Sequence, residues 1–222
     1  MDLLSYVVLI LFLAGFLWSV ILHEVAHGWV AKQCGDPTAE MAGRLTLNPI
    51  PHIDPVMTII VPIAMMLFSG IIFGGAKPVP VNPYNFRNGE IDDLKVSLAG
   101  VGVNFSIAAV FGFSLHLWPV ESAGFTLFAL LALVNLVLGL FNLIPVPPLD
   151  GSHVMRFLLA RIDRGIAESY ERIGVFGLVI LFLLLGFFWR HIALAIDFIW
   201  FNVFKIDVGW GSVVVNFQKA FS

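Results

Sequence analysis

The sequence contains little cysteine and little charge. Its 222 residues include a single cysteine, Cys34, and only 12% of them are charged. One cysteine excludes an intramolecular disulfide and a zinc cluster held by several thiolates. The formal net charge is −3, and nothing in the sequence indicates a nucleic-acid partner. Internal repeats and low-complexity tracts are also lacking.

Apolar residues are abundant instead. They make up 59% of the chain, with 21 phenylalanines and a mean hydropathy of +0.94. Several runs approach the ~20 residues needed to cross a bilayer, which predicts an all-α polytopic membrane protein. We expect one integral-membrane domain over residues 1–222. The first apolar run lacks a basic leader and a small-residue cleavage site, so we expect it to remain in the mature protein.

The predicted membrane segments number five to six. Four spans are expected at about 3–33, 94–118, 123–144 and 173–189, and an amphipathic interfacial helix at about 152–169. The apolar segment 56–73 has Pro62 near its middle, and we predict that it is re-entrant. The tail at 191–222 allows two interpretations, crossing or interfacial, because Asp197 interrupts its apolar run.

Two segments predict short membrane-associated β structure. Residues 42–49 alternate between apolar and polar side chains, as a strand does. Residues 74–83 contain Pro78, Pro80 and Pro83, which suit an exposed sheet edge or an extended course.

The most informative motif lies inside the apolar run from Leu3 to Val30. His23 and His27 are four residues apart and share one face of a helix, with Glu24 beside them. That spacing lets two imidazoles bind one metal ion while the carboxylate accepts a proton, the arrangement of zinc hydrolases. Alternatively, the three residues only form hydrogen bonds inside a helix bundle. Ionisable groups at membrane depth are costly, which favours the functional interpretation.

Two histidines leave a zinc ion needing a third protein ligand. Asp150 is the main candidate because it follows an apolar helix and a proline-rich break. The other interpretation of Asp150 is a cap for the helix that begins near Ser152. Weaker ligand candidates are His52, Asp54 and His153.

Together these motifs resemble the site-2 protease family of intramembrane zinc metalloproteases. One is His23 to His27, His-Glu-Val-Ala-His. The other runs from Asn142 to Gly151, Asn-Leu-Ile-Pro-Val-Pro-Pro-Leu-Asp-Gly, and is similar to the family's Leu-Asp-Gly motif. The segments at 43–54 and 75–83 are similar to a compact prokaryotic subgroup that lacks PDZ and CBS domains. One departure is Val101, where the family commonly has proline.

The resemblance implies one zinc ion per chain, bound by His23, His27 and Asp150. Glu24 would activate the water, and Asn142 would hold or polarise the substrate. The implied substrate is a single-span membrane protein cut within or near its transmembrane segment. A non-proteolytic metal-binding membrane protein, a carrier or a helix-binding helper, is the alternative function. Glu24 disfavours it, because a carrier needs no base.

The two motifs also predict a topology. Both lie toward the C-terminal ends of their spans, so the two helices must run in the same direction to share one ion. Segment 56–73 must therefore enter the membrane and return to the same side, because a full crossing would make the two helices antiparallel. The N-terminus is then outside a prokaryotic cell membrane and the site opens toward the cytoplasm, which places most cations inside: Lys32, Arg44, Lys77, Arg87, Lys95, Arg156, Arg161, Arg164 and Arg172.

Overall fold

The computed structural model describes residues 3–55, 60 and 76–219. These residues form nine α-helices and no β-strand. The helices are α1 (Leu3–Gln33), α2 (Thr38–Met41), α3 (Glu90–Ser114), α4 (Ala123–Asn142), α5 (Gly151–Ile162), α6 (Arg164–Glu171), α7 (Gly177–Leu183), α8 (Leu185–Phe198) and α9 (Trp210–Lys219). The predicted re-entrant segment at 56–73 lies outside the described residues, apart from residue 60.

Three of these helices are long and apolar enough to cross a membrane. They are Leu3–Gln33, Glu90–Leu117, which joins α3 to a following 3-10 turn, and Ala123–Asn142. The predicted spans at 3–33, 94–118 and 123–144 agree with them to within a few residues. Hydrophobic length alone was sufficient to locate these three helices.

The fourth predicted span, 173–189, has a different structure. A 3-10 turn at Gly174–Phe176 precedes α7, and α7 is separated from α8 by one non-helical residue, Leu184. Helical hydrogen bonds still cross the break, from Leu184 N–H to the Ile180 carbonyl and from Phe188 N–H to the Leu184 carbonyl. The helical region therefore begins later than predicted and runs into the tail, through a π-helical turn at Ile199–Val203.

The predicted strand at 42–49 is wrong, because these residues form turns and bends. The Thr46 hydroxyl accepts a hydrogen bond from Asn48 N–H, and the Asn48 side chain accepts one from Ile50 N–H. Short polar side chains thus bind the backbone donors that a strand ladder would need. Residues 76–81 form no helix or strand, and no ladder forms in the described part of the chain.

The predicted interfacial helix at 152–169 is two helices, α5 and α6. Asp163 between them is extended, and its side chain accepts a hydrogen bond from Ile166 N–H, which caps α6. An aspartate at this position is a strong helix N-cap, so it starts a new helix rather than continuing the first. Both helices expose large apolar side chains, namely Leu158, Ile162 and Ile166.

The chain divides into two compact units, 1–16 with 101–222 and 17–100. In the first unit, α4 packs against α8 and α9. A buried amide pair joins α3 to α4, where Asn104 Nδ2 donates to Asn135 Oδ1 at 2.9 Å. The fully buried Trp200 donates from its indole to the Val208 carbonyl at 2.7 Å, and Trp210 donates to the Asp197 carboxylate. Asp197, which made the tail ambiguous in the sequence, thus has a polar partner.

The second unit is organised around the fully buried carboxylate of Asp36. It accepts hydrogen bonds from Asn82 N–H at 2.7 Å, from the Asn85 amide at 2.8 Å, and from the backbone and hydroxyl of Thr38. Burial raises the pKa of Asp36, but these hydrogen bonds outweigh it and hold the pKa below its usual value. The hydrogen bonds of the Asp36 side chain therefore hold residues 82–85 against the end of α1.

Candidate metal and catalytic site

The two motif histidines face each other on α1. Their Nε2 atoms are 3.0 Å apart, and the ring planes are inclined by 84°. Two tetrahedral zinc ligands at about 2.1 Å from the ion lie about 3.4 Å apart. Only a small ring adjustment therefore separates the observed pair from two ligands of one ion, and the donor atoms fit zinc.

A main-chain carbonyl orients one of these rings. His27 Nδ1 lies 2.7 Å from the carbonyl oxygen of Val96 on α3. A carbonyl can only accept, so Nδ1 carries the proton and Nε2 keeps its lone pair for a metal. This is the outer hydrogen bond that metal-binding histidines commonly make.

Gly100 gives α3 room beside both imidazoles. A Cβ at this position would lie 2.5 Å from His27 Nε2 and 2.6 Å from His23 Cε1, closer than van der Waals contact allows. The close neighbours of Gly100 are therefore the two histidine rings.

Glu24 is fixed by the backbone of the segment at 76–81. Its Oε2 accepts a hydrogen bond from Val79 N–H at 2.8 Å. Gly28, one turn after Glu24 on α1, allows this approach, since a Cβ there would lie 2.8 Å from Cγ1 of Val79. This hydrogen bond orients the carboxylate of a residue adjacent to the metal-ligand candidate His23.

Asp150 immediately precedes α5, in helical conformation (φ −57°, ψ −37°), and makes no capping hydrogen bond to that helix. Its interpretation as a helix cap is therefore wrong. The motif glycine that follows, Gly151, packs against the main chain: a Cβ there would lie 2.2 Å from the Leu143 carbonyl oxygen. Asn142 is the last residue of α4, and its Nδ2 donates to the Leu138 carbonyl at 2.9 Å.

Two of the weaker ligand candidates, His52 and His153, make hydrogen bonds with the main chain. His52 is 1% exposed, and its Nε2 lies 2.9 Å from the Thr46 carbonyl oxygen, while its own carbonyl accepts from Lys77 N–H. These contacts hold the loop at 44–52 against the segment at 76–81. His153 donates its backbone N–H to the Asp150 carbonyl.

Comparison with known proteins decides the family. The family model described as Peptidase family M50 matches residues 119–185. A Bacillus subtilis protein named "Putative zinc metalloprotease YwhC" is 39% identical over 77% of this chain and 78% of its own length. The chain belongs to peptidase family M50. It is therefore a metalloprotease of the site-2 type and, with its three apolar helices, an integral membrane protein.

Two further relatives come from other organisms. "Putative zinc metalloprotease Rip2" of Mycolicibacterium smegmatis is 36% identical over 67% of this chain and 57% of its own length. "Zinc metalloprotease MJ0392" of Methanocaldococcus jannaschii is 30% identical over 64% of this chain but only 32% of its own length. No solved structure matches the chain.

Sequence reasoning did not identify Val79, Val96 or Gly100 as neighbours of the candidate site residues. Val79 and Val96 act through backbone N–H and C=O groups, which every non-proline residue has, so their identity carries no signal. Gly100 did have a signal, since it stands in a run of small residues, but its neighbours are set by the tertiary structure.

Proposed function

We propose that this M50 protease hydrolyses a peptide bond within or near the transmembrane segment of a single-span membrane protein. The observation that carries the proposal is the pair His23 and His27 on an apolar helix, with Nε2 atoms 3.0 Å apart and Glu24 fixed beside them. Burying ionisable side chains within a membrane costs free energy, and those found there serve a function.

The proposed metal is one zinc ion per chain, with His23, His27 and Asp150 as protein ligands. Two imidazoles and a carboxylate are the donors that catalytic zinc sites use. The relatives named above carry zinc in their names.

Held by His23, His27 and Asp150, zinc would supply a water of lowered pKa and polarise the scissile carbonyl. Glu24 would accept a proton from the attacking water and deliver it to the leaving amine. Val79 N–H binds Oε2 of Glu24 and leaves Oε1 for proton transfer. We assign to Asn142, at the end of α4, the binding of the substrate's backbone near the scissile bond.

The segment at 76–81 supplies a surface for an unwound substrate. N–H groups of Lys77 and Val79 are bonded within the chain, to the His52 carbonyl and to Glu24. Pro78 and Pro80, between and after them, have no N–H. From Pro78 to Pro80 the opposite edge therefore offers carbonyl acceptors only, and we propose that it binds an extended substrate through the substrate's N–H groups.

We retain the predicted topology as part of the proposal. The chain is multi-pass, its N-terminus lies outside, and the active site opens toward the cytoplasm. The distribution of Lys and Arg supports this orientation.

The test compares wild type with Glu24→Gln, purified in detergent, for zinc content and for cleavage of a panel of single-span substrates. We expect about one zinc per chain in both proteins and cleavage by wild type only, because glutamine cannot accept the proton. If the Glu24→Gln protein retained metal transport or helix binding and wild type cleaved nothing, the carrier or helper function would replace the protease.

A further inference from the structure

The loop at 143–150, which carries Asp150, is held by apolar packing and by a side-chain hydrogen bond. Its apolar side chains Ile144 and Val146 are buried in the hydrophobic core of the first unit. The hydroxyl of Tyr170, on α6, donates to the Pro145 carbonyl at 3.0 Å. These two attachments limit how far the loop can shift.

The composition of this loop limits its internal hydrogen bonds. Pro145, Pro147 and Pro148 have no N–H, and backbone bonds within the loop run from Val146 N–H and from Leu149 N–H. The Pro145 carbonyl accepts instead from a donor outside the loop. Tyr170 supplies such a donor, and burial raises the pKa of its phenol, so the hydroxyl keeps its proton across the neutral range.

A second residue, Gly177, packs closely against the same loop. Gly177, the first residue of α7, lies so close that a Cβ there would be 1.9 Å from the Pro147 carbonyl oxygen. No side chain larger than glycine's hydrogen fits without moving the loop. Tyr170 and Gly177 therefore contact two carbonyls that stand five and three residues before Asp150.

We propose that Tyr170 is a positioning residue for the metal site: its hydrogen bond to Pro145 holds the loop so that Asp150 is presented as a ligand. Gly177 supports the same loop by its close approach. This inference rests on the proposed assignment of Asp150 as a zinc ligand. Tyr170 itself touches neither metal nor substrate.

The test measures zinc affinity of the full chain in detergent by competition with a chromogenic chelator, and the absorption spectrum of Co²⁺ bound in place of zinc. Tyr170→Phe removes only the hydroxyl. We expect it to weaken zinc binding about threefold to tenfold, the effect of one hydrogen bond, and to shift the Co²⁺ bands. The zinc-free variant should melt within a few degrees of zinc-free wild type.

Two matched controls accompany it. Tyr84→Phe makes the same change at a residue that is 97% exposed and should leave zinc affinity unchanged. Gly177→Ala should weaken zinc binding more than Tyr170→Phe. Its control is Gly186→Ala, in α8, where a Cβ would meet no described atom within 4 Å. Should Gly177→Ala fail to fold, the Tyr170→Phe comparison decides alone.

The outcomes separate this inference from the proposed function. If Asp150→Ala lost zinc but Tyr170→Phe bound it like wild type, the positioning role would be refuted and the ligand set would stand. A Tyr170→Phe protein that melted lower with unchanged zinc affinity would show a purely structural hydroxyl. If Asp150→Ala kept wild-type affinity, the ligand assignment itself would fall, and the inference with it.

Discussion

Replacing Gly100 by alanine should damage the metal site while leaving the helix that carries it intact. The added Cβ would lie 2.5 Å from His27 Nε2 and 2.6 Å from His23 Cε1, whereas ordinary contact begins at 3.4 Å. The rings or α3 must therefore move by about 0.9 Å. Zinc–nitrogen bonds tolerate only about 0.2 Å of displacement. Both histidines would have to find new positions, and the hydrogen bond from His27 to the Val96 carbonyl would be strained.

We expect the loss in zinc affinity to be on the order of 100-fold, or about 2.7 kcal/mol, similar to the larger effects of disturbing a metal ligand's surroundings. Alanine is also a better helix former than glycine, by roughly 1 kcal/mol, so α3 itself should not be weakened. The predicted signature is thus a lost metal in a folded protein.

The assay measures bound zinc after dialysis against graded chelator, together with the melting temperature of the metal-free protein. Gly102→Ala is the matched control, because it lies on the same helix and a Cβ there would meet no described atom within 4 Å. The reasoning would be refuted if Gly100→Ala bound zinc as tightly as wild type. Equal loss in Gly100→Ala and Gly102→Ala would refute it too, because it would indicate a general effect on α3.

Two further predictions concern stability. Asp36→Asn should destabilise the protein by roughly 2 kcal/mol, because the hydrogen bonds to Thr38 and Asn82 lose their charged acceptor. The pKa of Asp36 is lower in the folded than in the unfolded state. The contribution of Asp36 to the free energy of unfolding is therefore complete above its unfolded-state pKa of about 4 and is lost as the pH falls through its folded-state pKa. The melting temperatures of wild type and Asp36→Asn should therefore converge in acid. A difference in melting temperature that stayed constant with pH would contradict this. For the buried amides, a double-mutant cycle of Asn104→Ala and Asn135→Ala should give a coupling energy of about 0.6 to 1.7 kcal/mol; strictly additive effects on unfolding would show that their hydrogen bond contributes nothing.

Hydrophobic length and motif spacing determined the parts of this fold that depend on local sequence. A run of about 20 apolar residues can satisfy its backbone in a membrane only as a helix or in a barrel, which is why α1, α3 and α4 were placed correctly. The two histidines four residues apart share a helix face for the same local reason, and the structure brings their Nε2 atoms together.

Local signals failed where backbone donors had competing partners. Residues 42–49 alternate like a strand, but Thr46 and Asn48 bind neighbouring N–H groups and form bends instead. The predicted helix at 152–169 was divided by Asp163, whose side chain caps a new helix. Alternation and amphipathic periodicity describe which faces are apolar. These patterns do not indicate whether a side chain will accept hydrogen bonds from nearby backbone N–H groups.

By itself, the sequence determined which residues carry the chemistry: an apolar helix with His23, Glu24 and His27, and a second motif that ends in Asp150. Tertiary structure alone decided how that chemistry is supported. Three contacts join segments that are far apart in the chain. Val79 N–H donates to Glu24, the Val96 carbonyl accepts from His27, and Gly100, which has no side chain, lies against both histidine rings. Two are made by backbone atoms common to nearly all residues and the third by the absence of a side chain, so they exist only once the chain has folded.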